Sequence, residues 1–328
     1  MVAGFAKTRE NVLPLAYKFA NLPQSTKEKY EVPPFYQRGW DCGHESMKDG
    51  VPDLSKGSFY VNPQVDSFPD VDAATIAKYP GFYGDNVFPE EEIPEFETNV
   101  KAACQLVMSV GKKLATHCDT YVKSQIPDFE PNRMSTIVSE SKHHAARLLH
   151  YFPMDEAKIA AGAGDMAVNE DDSWCGWHND HCTLTGLLPG QFHDKNGNPI
   201  SSPDPKAGLY IKSRSGEVIH AKAPKDVMLF QIGETAQIHT GGLLKATPHM
   251  VRGAAVKDVS RSTLAVFMEP GELFDVALPK GEGITVEKTV ANNGQLPPSV
   301  PTLASRWNND KGDTFGEFTR RTIEGYYK

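Results

Sequence analysis

The chain has 328 residues, 39% of them hydrophobic and 9% aromatic, which is enough to bury one large core or two ordinary ones. Its formal net charge of −8 indicates no general electrostatic attraction to nucleic acid or to an anionic membrane. We therefore expect a globular monomer whose partner is a small molecule.

The cysteines and the N-terminus indicate the compartment. The five cysteines are scattered and never form a CxxC motif, so we expect neither a disulfide framework nor a zinc knuckle. The first residues lack the apolar segment of a secretory signal, and no apolar run approaches the roughly 18 residues that cross a bilayer. These features predict a cytoplasmic protein without a membrane partner.

Residues 1–130 are predicted to form helices and loops. The segment NVLPLAYKFANLPQSTKEKY predicts a short amphipathic helix that stops near Leu22, and the glycine-punctuated stretch GWDCGHESMKDGVPDLSKGSFYVNP predicts a loop. From Pro94 to Gln125, apolar residues recur every three or four positions, which is the spacing of one buried helical stripe. This stripe comprises Val100, Cys104, Val107, Gly111, Leu114, Cys118 and Tyr121.

Residues 131–280 are predicted to form a β-rich catalytic core. The strand candidates are RLLHYFP, CTLTGLL, AGLYIKS, GEVIHAK, DVMLFQIGE and STLAVFME. Several strands in succession without helices between them favour a sandwich or barrel. The polar segment from Pro189 to Pro205 interrupts two of these strands and is a candidate lid or specificity loop.

Residues 281–328 are predicted to be an extension that ends in a helix. The residues Phe315, Phe318, Thr322 and Tyr326 follow one another at helical spacing. We expect this last helix to pack on the β-rich core, so that the whole chain forms one compact unit.

A candidate metal site begins at His178 and Asp180. In a strand, side chains two residues apart leave on the same face, so this imidazole and this carboxylate can converge on one ion. The best candidate for a third ligand is His249, which we favour over His239 because of its spacing to the next motif. Two histidines and one carboxylate form the facial triad of non-haem Fe(II) oxygenases, which leaves positions open for a cosubstrate and O₂.

A second His-x-Asp pair, His117 and Asp119, has a different interpretation. It lies in the predicted helix over 94–125, where residues two apart point to nearly opposite sides. These two side chains cannot share a metal ion, so we expect them to be structural.

A candidate anion anchor follows the third histidine. Arg261 and Thr263 share one face of a predicted strand, and Ala265 and Phe267 continue that face. A guanidinium can hold a carboxylate through two parallel hydrogen bonds, and a neighbouring hydroxyl can add another. The same spacing at Arg133 and Ser135 shows that the pair alone is not specific.

The order of these motifs is more specific than any one of them. Along the chain come His178-x-Asp180, the strand that begins at Gly208, DVMLFQIGE, the glycine pair at Gly241, His249 and Arg261-x-Thr263. This order resembles the 2-oxoglutarate/Fe(II)-dependent dioxygenase superfamily, in the branch that includes isopenicillin N synthase. The likeness is strongest from Arg147 to Pro270.

The resemblance implies a fold, a reaction and a set of ligands. The implied fold is mainly β with flanking helices, around a double-stranded β-helix, or jelly roll. The resemblance implies Fe(II) at His178, Asp180 and His249, with 2-oxoglutarate anchored by Arg261 and Thr263. The implied reaction uses O₂ to oxidise a C–H bond of a small organic molecule and releases succinate and CO₂.

The resemblance also implies pocket residues, with one departure. Phe267 occupies the position of an aromatic wall of the substrate pocket. Just before Pro153, the family often has a tyrosine that contacts the cosubstrate, whereas this chain has Phe152. We expect Phe152 to lie in the pocket. The cosubstrate contact of the tyrosine hydroxyl is then either lost or replaced by His150, two residues earlier on the same face.

Three other functions remain open on the sequence. A non-haem iron oxidase of the same fold that needs no 2-oxoglutarate would keep the Arg-x-Ser/Thr pair. A zinc hydrolase could use the same three ligands, but it would require a nearby general base. The third is a jelly-roll binding protein without catalysis, and nothing in the sequence selects a substrate or decides between hydroxylation, desaturation and ring closure.

Overall fold

Antiparallel strands drawn from most of the chain form two sheets. The computed structural model describes residues 2–33, 37–44, 52–160, 173–291, 295–298, 300–309 and 312–326. The strands are β1 Gly39–Asp41, β2 Lys56–Val61, β3 Ala145–Tyr151, β4 Ser173–His178, β5 Leu184–Leu187, β6 Gln191–His193, β7 Pro199–Ile200, β8 Gly208–Lys212, β9 Val218–His220, β10 Leu229–Ile232, β11 His249–Arg252 and β12 Ser260–Met268.

Helices precede, interrupt and follow these strands. They are α1 Phe5–Ala20, α2 Gln24–Lys27, α3 Ala73–Lys78, α4 Pro80–Tyr83, α5 Phe96–Gln125, α6 Arg133–Glu140, α7 Glu156–Ala160, α8 Glu234–His239, α9 Val286–Val290, α10 Leu303–Arg306 and α11 Phe315–Tyr326. Within the described ranges, no helix is long and apolar enough to cross a membrane.

The two sheets place the candidate site residues opposite one another. The larger sheet has the order β1-β2-β3-β12-β5-β10, with β6 and β7 joined to it through β12, and the smaller sheet has the order β4-β11-β8-β9. In the larger sheet, Arg261 pairs with Tyr151 and Phe192. In the smaller sheet, His249 pairs with His178. The last residue of β4 therefore lies beside the first residue of β11.

The main apolar core lies where α1 and α5 pack against the larger sheet. The Phe59 ring of β2 lies 4.8 Å from the Phe19 ring and 4.7 Å from the Phe96 ring, measured between centroids. A Cβ atom at Gly186 of β5 would overlap the side chain of Val107. A glycine at that position therefore lets α5 approach the sheet closely.

The structure confirms the main predicted elements. The helix predicted over 94–125 is α5, and all six predicted strands are present as β3, β5, β8, β9, β10 and β12. One assignment within α5 was wrong, since Tyr121 is 50% exposed and Val122 is buried instead. The predicted apolar positions recur at an average spacing slightly below the 3.6 residues of a helical turn. The predicted stripe therefore moves off the buried face by the end of the helix.

Some elements were not predicted. The sequence SFYV was assigned to a loop, but it belongs to β2, which is buried along nearly its whole length. A strand buried on both faces does not alternate between polar and apolar residues, so periodicity does not reveal it. The short helix α6 was also missed, and the candidate residues Arg133 and Ser135 lie on it.

The second His-x-Asp pair is structural, as predicted. His117 is exposed on α5, whereas Asp119 is 4% exposed. The Asp119 carboxylate accepts hydrogen bonds from the backbone N–H groups of Met134 and Ser135, at 2.9 and 2.8 Å. It therefore satisfies free amide groups in the first turn of α6.

We expect the substitution Gly57→Ala to lower the free energy of unfolding by about 1–3 kcal/mol, because an extra methyl group in a packed core forces side chains and backbone to move. A Cβ atom at Gly57 of β2 would overlap the ring of Trp40, which is 2% exposed. Urea denaturation would measure the change. The matched control is Gly176→Ala in β4, where an added Cβ meets nothing within 4 Å. Equal losses in the two variants would contradict a steric cause.

Candidate functional site

Three candidate ligands converge at one end of the smaller sheet. The ligand atoms of His178, Asp180 and His249 all lie within 4.8 Å of one another. Asp180 Oδ1 is 3.8 Å from Nε2 of His178 and 3.6 Å from Nε2 of His249. His239, the competing candidate, lies at the end of α8, where Nε2 is 3.0 Å from the carbonyl oxygen of Asp275. The geometry therefore selects His249 as the third member.

Local backbone contacts orient both imidazole rings. Nδ1 of His178 is 2.8 Å from the carbonyl oxygen of Gly176, and Nδ1 of His249 is 3.0 Å from that of Thr247. If each Nδ1 donates its hydrogen to the carbonyl, each Nε2 keeps its lone pair and faces Asp180. This arrangement is typical of histidines that bind a metal ion through Nε2.

The charges at this site also suit a cation. Desolvation opposes protonation of His178, but the adjacent Cys175 and Asp180 outweigh it and raise the pKa of His178 to about 9. Desolvation and the neighbouring His178 lower the pKa of His249 to about 4. Asp180 thus favours positive charge on the neighbouring His178. A metal ion bound here would compete with protons for the two rings, because metal ligands bind in their deprotonated forms.

A buried ion pair supports the loop that carries Asp180. The backbone N–H of Glu234, at the start of α8, donates to the carbonyl oxygen of Asp180 at 2.8 Å. Arg306 of α10 donates from Nη2 to both oxygens of the Glu234 carboxylate at 2.8 Å. Glu234 is 2% exposed and Arg306 is 4% exposed. Helix α10 is thereby connected to the loop that carries Asp180.

We expect Arg306→Met to destabilise the protein by about 3–5 kcal/mol, because it leaves the Glu234 carboxylate buried without its partner. Chemical denaturation would measure the loss. The double variant Glu234→Gln with Arg306→Met should lose less than Arg306→Met alone, since it removes the isolated charge. Arg320→Met is the matched control, because Arg320 and its partner Glu324 are about half exposed. A loss as large in the control would contradict the role of burial.

A cavity of about 370 Å³ lies between the two sheets and contains the three candidate ligands. Residues from β3, β5, β10 and β12 line one side, and residues from β4, β8, β9 and β11 line the other. The walls are mainly apolar and include Leu149, Leu187, Phe192, Leu209, Leu229 and Phe267. Phe267 therefore lies where the sequence places a pocket wall.

Arg261 is the main candidate for anion binding in this cavity. Its side chain lines the cavity and is nearly fully buried, and burial lowers the pKa of its guanidinium. The guanidinium lies 5.5 Å from the centre of the Tyr151 ring. Within the described ranges, Nη1 has no hydrogen-bond partner and no carboxylate pairs with this side chain. A buried guanidinium in this state is expected to require an anionic ligand.

Thr263 lines the cavity next to this arginine, but its hydroxyl has a partner. Its Oγ1 donates to the carbonyl oxygen of Leu188 at 2.7 Å. The predicted hydrogen bond from this hydroxyl to a cosubstrate carboxylate would compete with that contact.

The predictions for His150 and Phe152 were wrong. The side chains of β3 that line the cavity are Arg147, Leu149 and Tyr151. His150 points to the opposite face, where Nδ1 lies 3.1 Å from Oγ of Ser262. Phe152 packs against the main core. Tyr151, which the sequence analysis passed over, therefore occupies the position beside Arg261.

The segment from Pro189 to Pro205 reaches the cavity, as expected of a specificity loop. Pro189, Gly190, Phe192, Ser202 and Pro205 all line it. The segment contains the short hairpin β6–β7 rather than loop alone.

Two buried polar side chains, those of Gln231 and Thr183, were not recognised from the sequence. Gln231 of β10 pairs with Thr185, a cavity residue, and it is 7% exposed. Neither polar atom of its side chain has a hydrogen-bond partner among the described residues, and the same is true of Oγ1 of Thr183. Buried groups of this kind generally bind water or a ligand, but neither Gln231 nor Thr183 is among the residues that line the cavity.

Comparisons with known proteins identify the fold. No protein-family model matches the chain, and no curated protein sequence matches it. A full-length Neurospora crassa protein in complex with alpha-KG has a TM-score of 0.63 at 17% identity, covering 96% of this chain and 82% of that chain. A Caulobacter crescentus protein assigned to the 2OG-Fe(II) oxygenase family has a TM-score of 0.62 at 20% identity, covering 97% and 84%. The dioxygenase for auxin oxidation in rice has a TM-score of 0.55 at 14% identity, covering 99% and 82%. The chain therefore has the fold of these oxygenase structures.

Proposed function

We propose that this chain is an Fe(II)/2-oxoglutarate-dependent oxygenase that oxidises a C–H bond of a small organic molecule. The observation that carries the proposal is the presence, in one cavity, of the triad His178, Asp180 and His249 and of the buried guanidinium of Arg261, whose Nη1 has no hydrogen-bond partner among the described residues. We also propose that the two facing sheets are the halves of a double-stranded β-helix. The finer assignment, to the branch of isopenicillin N synthase, rests on the order of the sequence motifs alone.

The residues present fit an iron ion. Two imidazoles and one carboxylate are the donor set of non-haem Fe(II) sites. The second carboxylate oxygen, Oδ2 of Asp180, has no hydrogen-bond partner within the part of the chain that the structure describes. Burial of a carboxylate oxygen without a hydrogen-bond partner is unfavourable in free energy. A cation bound at Asp180 would offset this unfavourable free energy. His178, Asp180 and His249 would hold that ion.

The residues also fit a cosubstrate with two carboxylates. Arg261 would hold the distal carboxylate of 2-oxoglutarate through Nη1, and Tyr151 would support the guanidinium through its ring. Thr263 would keep the neighbouring Leu188 carbonyl in place. The Neurospora crassa protein, which shares the fold, is described in complex with alpha-KG, and this supports the assignment of the same cosubstrate here.

When bound together, the iron, 2-oxoglutarate and O₂ supply the oxidising chemistry, which converts the cosubstrate to succinate and CO₂. The protein contributes position and exclusion of water. The two histidine rings are fixed through their Nδ1 atoms, and apolar walls such as Leu209 and Phe267 surround the centre. We propose that these walls hold the substrate, and that its placement decides the product.

The test is an anaerobic titration of the metal-free protein, first with Fe(II) and then with 2-oxoglutarate. We expect the weak visible charge-transfer band that forms when a 2-oxo acid chelates iron. The band should be absent in His178→Ala. If iron binds and no band forms, the oxidase that needs no 2-oxoglutarate replaces this proposal. If iron does not bind, the metal assignment fails, and the zinc hydrolase and the binding protein become the functions to test.

A further inference from the structure

A second buried arginine, Arg9, lies near the predicted cosubstrate anchor. It is on α1, about 180 positions before the segment that it contacts. Its Nε donates to the carbonyl oxygen of Pro189 at 2.7 Å, and its Nη2 donates to that of Gly190 at 2.8 Å. The residue is 7% exposed and lies on the buried face of α1, between Phe5 and Val12. Arg9 therefore fixes two consecutive carbonyl groups of the cavity wall.

The segment that Arg9 holds is in turn packed against Arg261. A Cβ atom at Gly190 would overlap the guanidinium of Arg261, so the glycine backbone lies flat against that group. On its other side, the segment is tied to β12, because Thr263 donates to the carbonyl oxygen of Leu188 and the Leu188 N–H donates to Leu264. The wall behind Arg261 is thus fixed from β12 on one side and from α1 on the other.

The two guanidinium groups also act on each other. Desolvation and the positive charge of Arg261 lower the pKa of Arg9, and the exposed Glu10 opposes this effect only weakly. Among the described residues, no carboxylate forms an ion pair with Arg9 or with Arg261. The two buried cations lie on either side of Gly190, where they repel each other, and an anionic group bound at Arg261 would offset that repulsion.

We propose that Arg9 is a positioning residue of the cosubstrate site, which fixes the Pro189–Gly190 wall behind Arg261 and adds a second positive charge for the distal carboxylate of a 2-oxo dicarboxylic acid. This inference rests on the proposed function. It predicts that the N-terminal helix is needed to distinguish a 2-oxo dicarboxylate from a 2-oxo acid with one carboxylate.

The test compares two ligands on the Fe(II)-loaded, anaerobic full-length protein. They are 2-oxoglutarate and 2-oxobutanoate, which has the same chelating end but no distal carboxylate. For Arg9→Met, we expect 2-oxoglutarate to bind about tenfold more weakly, because the wall behind Arg261 loses its support from α1 and the nearby positive charge is removed. Binding of 2-oxobutanoate and of Fe(II) should not change. Arg9→Lys, which retains the charge and can reach one carbonyl, should restore part of the difference.

The control is Lys7→Met, which removes one positive charge from an exposed position of the same helix. If Arg9→Met binds 2-oxoglutarate as the wild type does, or weakens both ligands equally, the inference is wrong. If the wild type binds no 2-oxo acid, the proposed function fails instead.

Gly190→Ala provides an independent variant in case Arg9→Met does not fold, as thermal unfolding would reveal. It leaves Arg9 in place and pushes a methyl group against Arg261. We expect it to weaken 2-oxoglutarate selectively, and unchanged binding would overturn the proposed role of the wall.

Discussion

The variant His249→Ala is expected to lose iron binding and, with it, turnover. His249 is the first residue of β11, where it pairs with His178 of β4, and Asp180 Oδ1 lies 3.6 Å from its Nε2. With only one imidazole and one carboxylate left, the site offers two protein ligands instead of three. We expect the loss of iron affinity to exceed the roughly 10–100-fold that outer-shell partners of a metal site cost. Equilibrium dialysis against Fe(II) would measure it.

The matched control is His117→Ala, which removes the histidine of the other His-x-Asp pair. His117 is exposed on α5, far from the cavity residues in sequence and absent from its lining. Iron affinity in this variant should equal that of the wild type. Retention of iron in His249→Ala would show that His249 is not a ligand and would reopen the assignment of the third position.

The convergence of His178, Asp180 and His249 was predictable from the sequence because it depends on local spacing and on the order of the motifs. His178 and Asp180 are two residues apart, and His249 begins the strand that pairs with the end of β4. His249 was chosen over His239 because of its spacing to Arg261 along the chain. In the fold, His249 begins β11 and Arg261 lies on the next strand, β12. Local spacing and motif order were therefore sufficient for these residues.

The same reasoning failed by one residue on β3. The sequence RLLHY is apolar on both sides of the strand, so no alternation shows which residues face the cavity. A shift of one residue moves every side chain to the other face of a sheet. For this reason His150 and Phe152 were assigned to the cavity, whereas Tyr151 lies there.

Arg9 was missed for a different reason. Its role depends on hydrogen bonds to Pro189 and Gly190, which are far away in the chain, so no local sequence pattern connects these residues. One signal was available in retrospect. Arg9 interrupts the apolar stripe of α1 formed by Phe5, Val12 and Ala16, and a charged residue on a buried stripe must find a polar partner in the fold.

The second large effect is expected at Arg261, which lines the cavity from the larger sheet. Arg261→Ala should weaken 2-oxoglutarate binding by about 2–5 kcal/mol, or roughly 30-fold to several thousand-fold in Kd, because a buried charged contact is lost. Iron affinity should not change, since Arg261 is not among the metal-binding group. Titration of the charge-transfer band with 2-oxoglutarate under anaerobic conditions would give the Kd of the cosubstrate, and equilibrium dialysis against Fe(II) would give the iron affinity.

Two further variants distinguish the anchor from its surroundings. Arg261→Lys should be intermediate, because an ammonium group retains the charge but cannot form two parallel hydrogen bonds. Thr263→Val should have a smaller effect than Arg261→Ala, since its hydroxyl already donates to the Leu188 carbonyl. If Thr263→Val weakens 2-oxoglutarate binding as much as Arg261→Ala does, the Thr263 hydroxyl must break its hydrogen bond to the Leu188 carbonyl when the cosubstrate binds. If Arg261→Ala binds 2-oxoglutarate normally, the Arg261 guanidinium of the wild type serves another anion, and an acidic substrate becomes the first alternative to test.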